Sequence, residues 1–282
     1  MIPDHLSYSA ISDFLLCPSR WYGRRIGKWP EPPTFAQQQG LAVDASLCAY
    51  HAGEDWHSVL LDGWLKLNTE PYPADGLRKC ADLINLYASL IVPRPEDETQ
   101  VKLQIPIPGC PVPFLGFVDL ARQEGAVLVD WKTTSSLKRW NQEYVDQNQQ
   151  ATAYLWAATA LGGEPKPERF VFCELNTTLM EVRYWTTTRT PEQLSDFAGQ
   201  LPRIYEDMLA CETLGPDETG PGFLTHTCKP KSWCNWPERC FPPQEARIEQ
   251  LAERAQSLFG GQVVVDAVIT KPEPQRLTGR RG

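Results

Sequence analysis

The stretch Phe114-Leu115-Gly116-Phe117-Val118-Asp119-Leu120-Ala121, followed by Ala126-Val127-Leu128-Val129-Asp130-Trp131-Lys132, decides how this chain folds. Each piece is an apolar run of strand length that leads into a carboxylate, and the polar, glycine-bearing Arg122 to Gly125 between them reads as a hairpin turn. Working outward, Val101 to Ile107 is a further strand before the hairpin, and RFVFCEL (169–175) and MEVRYWTTT (180–188) are two more after it. Between the hairpin and these last strands, 141–161 reads as one long helix carrying Tyr144, Tyr154, Leu155, Ala158 and Leu161, closed by Gly162-Gly163. In front, Ile11, Phe14 and Leu15 make a short helix that ends near Cys17-Pro18, a Pro-rich joint follows at 30–33, and 36–51 and 76–91 are helices. The second of these spaces Leu77, Cys80, Ala81, Ile84 and Ala88 as one buried stripe. A helix from about 191 to 211 closes the regular region; beyond 212 the chain turns Gly, Pro and Cys rich, with a helix near 243–258 and a loose basic tail.

Composition narrows the class. With 282 residues, 42% hydrophobic and 22% charged, the chain can bury a full core. No apolar run approaches the roughly 18 residues that span a bilayer, and MIPDHLSYSA lacks the charged and apolar blocks of a signal peptide, so a cytoplasmic location and no membrane association are expected. A net charge of −8 weighs against nucleic-acid binding. A site for divalent cations concentrates carboxylates, however, and a local basic stretch counts for more than the total. Arg20, Arg24, Arg25 and Lys28, interleaved with Trp21, Tyr22 and Trp29, supply such a stretch; a solvated charged turn and a DNA-contacting surface are both open readings of it.

The chemistry lies in the hairpin. Side chains two apart on a strand share a face, so Asp130 and Lys132 project from one side, while Trp131 faces the other and packs inward. Asp119, brought beside them, completes a group of two carboxylates and an ammonium. Hard oxygen ligands of this kind hold Mg²⁺ or Mn²⁺, the cation polarises a phosphate and acidifies a water, and Lys132 orients that water or offsets developing charge. Both acids follow strongly apolar sequence, where an unpaired charge costs several kcal/mol to bury, so a capping role beside a turn explains them poorly. His5, His51, His57 and His226 are isolated and form no pair with metal-ligand spacing.

These residues resemble the RecB-like branch of the PD-(D/E)XK nucleases. The match runs through Gly116-Phe117-Val118-Asp119, Asp130-Trp131-Lys132-Thr133 and, on the following helix, Gln150-Ala151-Thr152-Ala153-Tyr154, which is similar to the QxxxY signature of that branch. The i, i+4 spacing puts Gln150 and Tyr154 on one helical face, and the resemblance implies that both line the active-site groove. Family members carry a helical GxxxH whose His is a further metal ligand; here Gly40 to Asp44 stands in that place with Asp44 at the ligand position, itself a competent hard-metal ligand.

The nine cysteines are too unevenly spread for a disulfide framework. Cys228, Cys234 and Cys240 form C-x5-C-x5-C, one thiolate short of a four-sulfur site. The element around Cys17-Pro18 resembles the N-terminal cysteine of the iron–sulfur subgroup of these nucleases, which includes AddB-type and CRISPR-adaptation enzymes. The resemblance implies a [4Fe–4S] cluster on Cys17, Cys228, Cys234 and Cys240 joining the chain ends. The first spacing is longer than the C-x2-C usual there, and zinc is the alternative metal.

The expected architecture is α/β: a central mixed sheet of the restriction-endonuclease-like type with flanking helices. It divides into a helical 1–95, a nuclease core 96–211 and a cysteine-rich 212–282. The implied activity is Mg- or Mn-dependent cleavage of DNA, exonucleolytic on single-stranded ends, in recombination or repair. The alternative is a DNA-binding module that keeps the fold but cuts weakly or not at all. No Gly-rich phosphate loop is visible, so ATP-driven unwinding would come from a helicase or recombination partner.

Overall fold

Strands rich in Val, Phe and Leu build a five-stranded sheet at the centre of the computed structural model, which describes residues 4–67, 75–162 and 165–215. The strands are β1 (Glu98–Pro106), β2 (Pro113–Arg122), β3 (Val127–Thr134), β4 (Arg169–Asn176) and β5 (Glu181–Thr187), lying side by side in that order. All neighbouring pairs are antiparallel except β3 with β4, which run parallel. A parallel pair needs a crossover, and helices α6 (Gln142–Asp146) and α7 (Gln149–Leu161) supply it.

Helices cover both faces, which is why β3 and β4 read as nearly continuous apolar runs. Leu128, Phe170 and Phe172 pack with α1 (Tyr8–Leu16), α2 (Pro18–Arg25), α7 and α8 (Pro191–Leu214). Their strand neighbours Val127, Val129, Trp131, Val171 and Cys173 point the other way, onto α3 (Phe35–His51), α4 (Trp56–Leu65) and α5 (Gly76–Leu90).

Three local expectations need correction. The helix expected over 141–161 is two helices: the Asn148 side chain accepts the Gln150 backbone N–H at 2.9 Å and restarts the helix as an N-cap. Arg189 holds the break open by donating to the Asn148 carbonyl at 2.8 Å. Pro18 does not only end the first helix; as the first residue of α2 it starts another, since its ring suits that position and its missing N–H costs nothing there. The sequence reading also passed over α4, which Asp55 caps by accepting the His57 and Ser58 N–H groups.

Candidate active site

The site begins with a slip in β2. Phe114, Val118 and Ala121 pack on the α7 side, whereas Leu120 packs on the α3 side, so the strict alternation of the strand breaks at Asp119. On the partner strand, Gln100 takes the left-handed φ of 52°. The ladder between β2 and β3 consists of Leu120, Ala121 and Arg122 against Val129, Leu128 and Val127, and stops there. Asp119 is therefore not the last residue of its strand, as the sequence implied, but sits inside β2 where the two strands part. Its Oδ2 accepts the Trp131 backbone N–H at 2.8 Å, so a side chain takes over where the ladder ends.

Asp130 points to the α7 side and is buried, 2% exposed. Its Oδ1 accepts from Gln150 Nε2 at 2.6 Å, and its Oδ2 lies 2.5 Å from Lys132 Nζ. The Asn148 cap matters here, because it places Gln150 in the first turn of α7. One turn on, Tyr154 lies over Gly116, where an added Cβ would sit 2.7 Å from the tyrosine ring; a side chain at 116 and Tyr154 exclude each other. Asp44 comes from α3, on the opposite face. Its Oδ2 accepts from Gln100 Nε2 at 3.3 Å, while its Oδ1 is buried with no hydrogen-bond partner among the described residues.

Burial and mutual repulsion dominate the electrostatics. Burial first, then the charge of Asp130, pushes Asp44 up to about 6. Burial, then Asp130 and Asp44, pushes Asp119 up to about 8. Asp130 is raised by burial against the opposing pull of Lys132 and Gln150. Burial works to lower Lys132, but Asp130 and Asp119 outweigh it and keep the amine charged. Burial and Asp130 likewise raise Tyr154 to about 12, which keeps it a neutral phenol. Among the described residues three carboxylates thus face one ammonium, a deficit of positive charge in a poorly solvated place.

That deficit, and the orphaned Asp44 Oδ1, fit a hard divalent cation held by carboxylate oxygens. Among the described residues no three acidic, His or Cys side chains already converge as a metal cage. Asp130 is turned onto Lys132 and Gln150, and Asp119 onto the Trp131 amide. The residues named from sequence for this site, Asp44, Asp119, Asp130, Lys132, Gln150 and Tyr154, come together across the two faces through the parting of β2 and β3. A cavity of about 700 Å³ opens on Asp44, Asp119 and Lys132, and a second of about 540 Å³ on Lys132, Gln150 and Tyr154.

Sequence reading missed Gln100, which no motif marks, and Tyr8, whose hydroxyl feels the charges of Lys132 and Asp130. His51, isolated in sequence, stacks its ring on Trp131 and is bonded to Asp97 and Tyr87. Cys17 is buried in the extended joint between α1 and α2. Cys228, Cys234, Cys240 and His226 lie outside the described residues.

The sequence pattern of the PD-(D/E)XK nuclease superfamily matches residues 5–241. A crystal structure of a protein from Eubacterium rectale, provisionally named an exonuclease, superposes with a TM-score of 0.56 at 14% identity, covering 84% of this chain and 88% of that one. A second, of SSO0001, reaches a TM-score of 0.32 at 14% identity over 60% of this chain and 74% of that chain. No curated protein matches the chain in sequence.

Proposed function

The chain belongs to the PD-(D/E)XK nuclease superfamily, and on that premise we propose that it is a Mg- or Mn-dependent deoxyribonuclease acting on single-stranded DNA ends. The observation that carries the reading is the trio of buried Asp130 and half-buried Asp44 and Asp119 around the ammonium of Lys132, with Asp44 Oδ1 left without a partner among the described residues. Asp44, Asp119 and Asp130 would hold the cation, Asp44 serving where the family pattern has a histidine. Bound there, a divalent ion supplies Lewis acidity to the phosphate and a more acidic water.

The protein groups have separable tasks. Lys132, kept charged by Asp130 and Asp119, donates to the attacking water or to a non-bridging phosphate oxygen as charge builds. Gln150 is a positioning residue: its 2.6 Å bond fixes how the Asp130 carboxylate is presented. Tyr154, a neutral phenol over Gly116, closes the α7 side of the site. The name of the Eubacterium rectale relative supports an exonucleolytic mode. No helix among the described residues is long and apolar enough to cross a membrane, and the single-stranded end would be supplied by a separate recombination or helicase partner.

We also propose the cysteine cluster, [4Fe–4S] with zinc as its rival, on Cys17, Cys228, Cys234 and Cys240. Its support is that Cys211 Sγ, near the end of α8, lies 3.9 Å from the Pro18 carbonyl oxygen, so the chain leaves α8 close to Cys17. Iron and zinc content of anaerobically purified protein, with and without Cys17→Ser, distinguishes the two metals.

End-labelled single- and double-stranded DNA, incubated with Mg²⁺ or Mn²⁺, tests the nuclease reading. Asp130→Asn should lower the cleavage rate by roughly 10² to 10³-fold. Equal cleavage by both proteins would assign the activity elsewhere. Metal-independent binding without cleavage would favour a DNA-binding module, which the Asp44 substitution for histidine also fits.

A further inference from the structure

Among the described residues, five that are not glycine take a left-handed backbone: Lys28, Gln100, Gln123, Glu124 and Met180. Gln123, Glu124 and Met180 turn the chain between strands and Lys28 follows α2, whereas Gln100, at a φ of 52°, stands inside β1. For a residue with a Cβ that conformation costs roughly 1–2 kcal/mol, and glycine alone adopts it freely. The Gln100 side chain is exposed, so burial of apolar surface does not offset the cost. Strain of this kind persists where the structure needs the side chain in that place.

The register shows where the side chain goes. Thr99 pairs with Leu120 and Val101 with Val118, which leaves Gln100 opposite Asp119, at the slip in β2. From there its amide crosses to α3: Nε2 donates to Asp44 Oδ2 at 3.3 Å and to Cys48 Sγ at 3.6 Å, two residues one helical turn apart. The nitrogen end of the amide belongs there, because its oxygen would face a carboxylate. Among the described residues this is the one hydrogen bond that the Asp44 carboxylate receives, since Oδ1 has none. Gln150 does the same for Asp130 on the other face of the sheet, donating at 2.6 Å. A carboxylate held by one oxygen keeps the other in a fixed place, and a ligand so held gives up less freedom when a cation arrives.

We propose that Gln100 is a positioning residue of the cation site, holding Asp44 by Oδ2 so that Oδ1 is presented to the ion, and that β1 keeps its left-handed residue in order to deliver this amide. The proposal rests on the reading of Asp44 as a metal ligand and adds to it the residue that orients that ligand.

Mn²⁺ binding to the full chain without DNA, followed by isothermal titration calorimetry, tests this apart from cleavage. Gln100→Gly removes the amide yet takes the φ of 52° without strain, and it should weaken Mn²⁺ binding by about ten-fold or more. Gln100→Asn, which also tolerates the left-handed backbone but stops one methylene short, should weaken it likewise. Because the amide acts through Asp44, adding Gln100→Gly to Asp44→Asn should change the affinity by no more than about two-fold. Wild-type affinity in both Gln100 variants, or a loss from Gln100→Gly that recurs at full size in the Asp44→Asn background, would overturn the positioning role and leave the nuclease reading in place. A wild type that binds no Mn²⁺ would overturn both. Thermal melting of each variant in EDTA excludes unfolding as the cause.

Discussion

Two buried polar clusters share strands β2 and β3, and only one of them is complete. Around Asp97, whose side chain has no solvent exposure, Oδ1 accepts from Arg122 Nε at 2.9 Å and Oδ2 from His51 Nδ1 at 3.1 Å and the Arg94 backbone N–H at 3.0 Å. The network sets the tautomer: with Nδ1 donating to Asp97, His51 Nε2 accepts from the Tyr87 hydroxyl at 2.8 Å, and that oxygen accepts from Trp131 Nε1 at 3.4 Å. One carboxylate meets one guanidinium, and burial lowers the His51 pKa and keeps its ring neutral. Three residues along β2, Asp119 joins Asp130 and Asp44 around one ammonium, and Asp44 Oδ1 finds nothing. A buried network with every partner present is architecture; one that is short of positive charge is what the proposed cation would complete.

The sharpest way to break that contrast is to delete one acid from each cluster and measure stability in EDTA. Asp97→Ala strands the Arg122 guanidinium and should cost about 3–5 kcal/mol in urea denaturation. Asp44→Asn removes one of the unmatched charges and should be neutral or stabilising in the same assay. A comparable loss in both variants would mean that the Asp44 carboxylate is compensated after all. A smaller effect sharpens the comparison from the other side: saturating Mg²⁺ or Mn²⁺ should raise the wild-type melting temperature by roughly 5–10 °C at a hundredfold excess over the dissociation constant. Asp119→Asn should abolish most of that rise, and Asp97→Asn should leave its size unchanged.

The sheet, the hairpin and the acid–acid–lysine group were legible because their signals are local. Apolar runs give the strands, Arg122 to Gly125 gives the turn, and the period of two puts Asp130 and Lys132 on one face. Gln150 and Tyr154 were legible only through the family signature, and the reason for their spacing emerges from structure: one bonds Asp130, and the other occupies the room that Gly116 leaves. What escaped depends on tertiary partners. Asn148 is a good N-cap residue, but a lone Asn within an apolar helical pattern does not specify a break, and the Arg189 that holds it open is 41 residues away. Nor could the slip at Asp119 be read from β2, because it involves the left-handed Gln100 on the neighbouring strand. His51 looked isolated because Asp97 and Tyr87, its partners, come from separate parts of the chain.

The dependence of stability on pH tests the same contrast, and it has an unusual sign. Asp44 titrates near 6 and Asp119 near 8 in the folded chain, raised by burial first and neighbouring acids second, whereas an unfolded aspartate titrates at about 4. The folded state then binds these protons more tightly than the unfolded state does. Their contribution is greatest below about pH 4 and is lost as the pH rises through the folded values, the reverse of an ordinary paired carboxylate. His51 opposes this below its ordinary value: held neutral by burial, it favours the unfolded chain as acid is added. Asp119→Asn isolates the acid term. In EDTA the variant should come closest to the wild type near pH 4, where Asp119 is protonated in both the folded and the unfolded chain, and exceed it increasingly up to pH 8.5, where the wild type must carry the charge; saturating Mg²⁺ should remove that advantage by supplying the missing positive charge. A variant no more stable than the wild type at the higher pH would show that neither burial nor the neighbouring acids penalise the Asp119 charge, and the case for a cation beside it would fall with it.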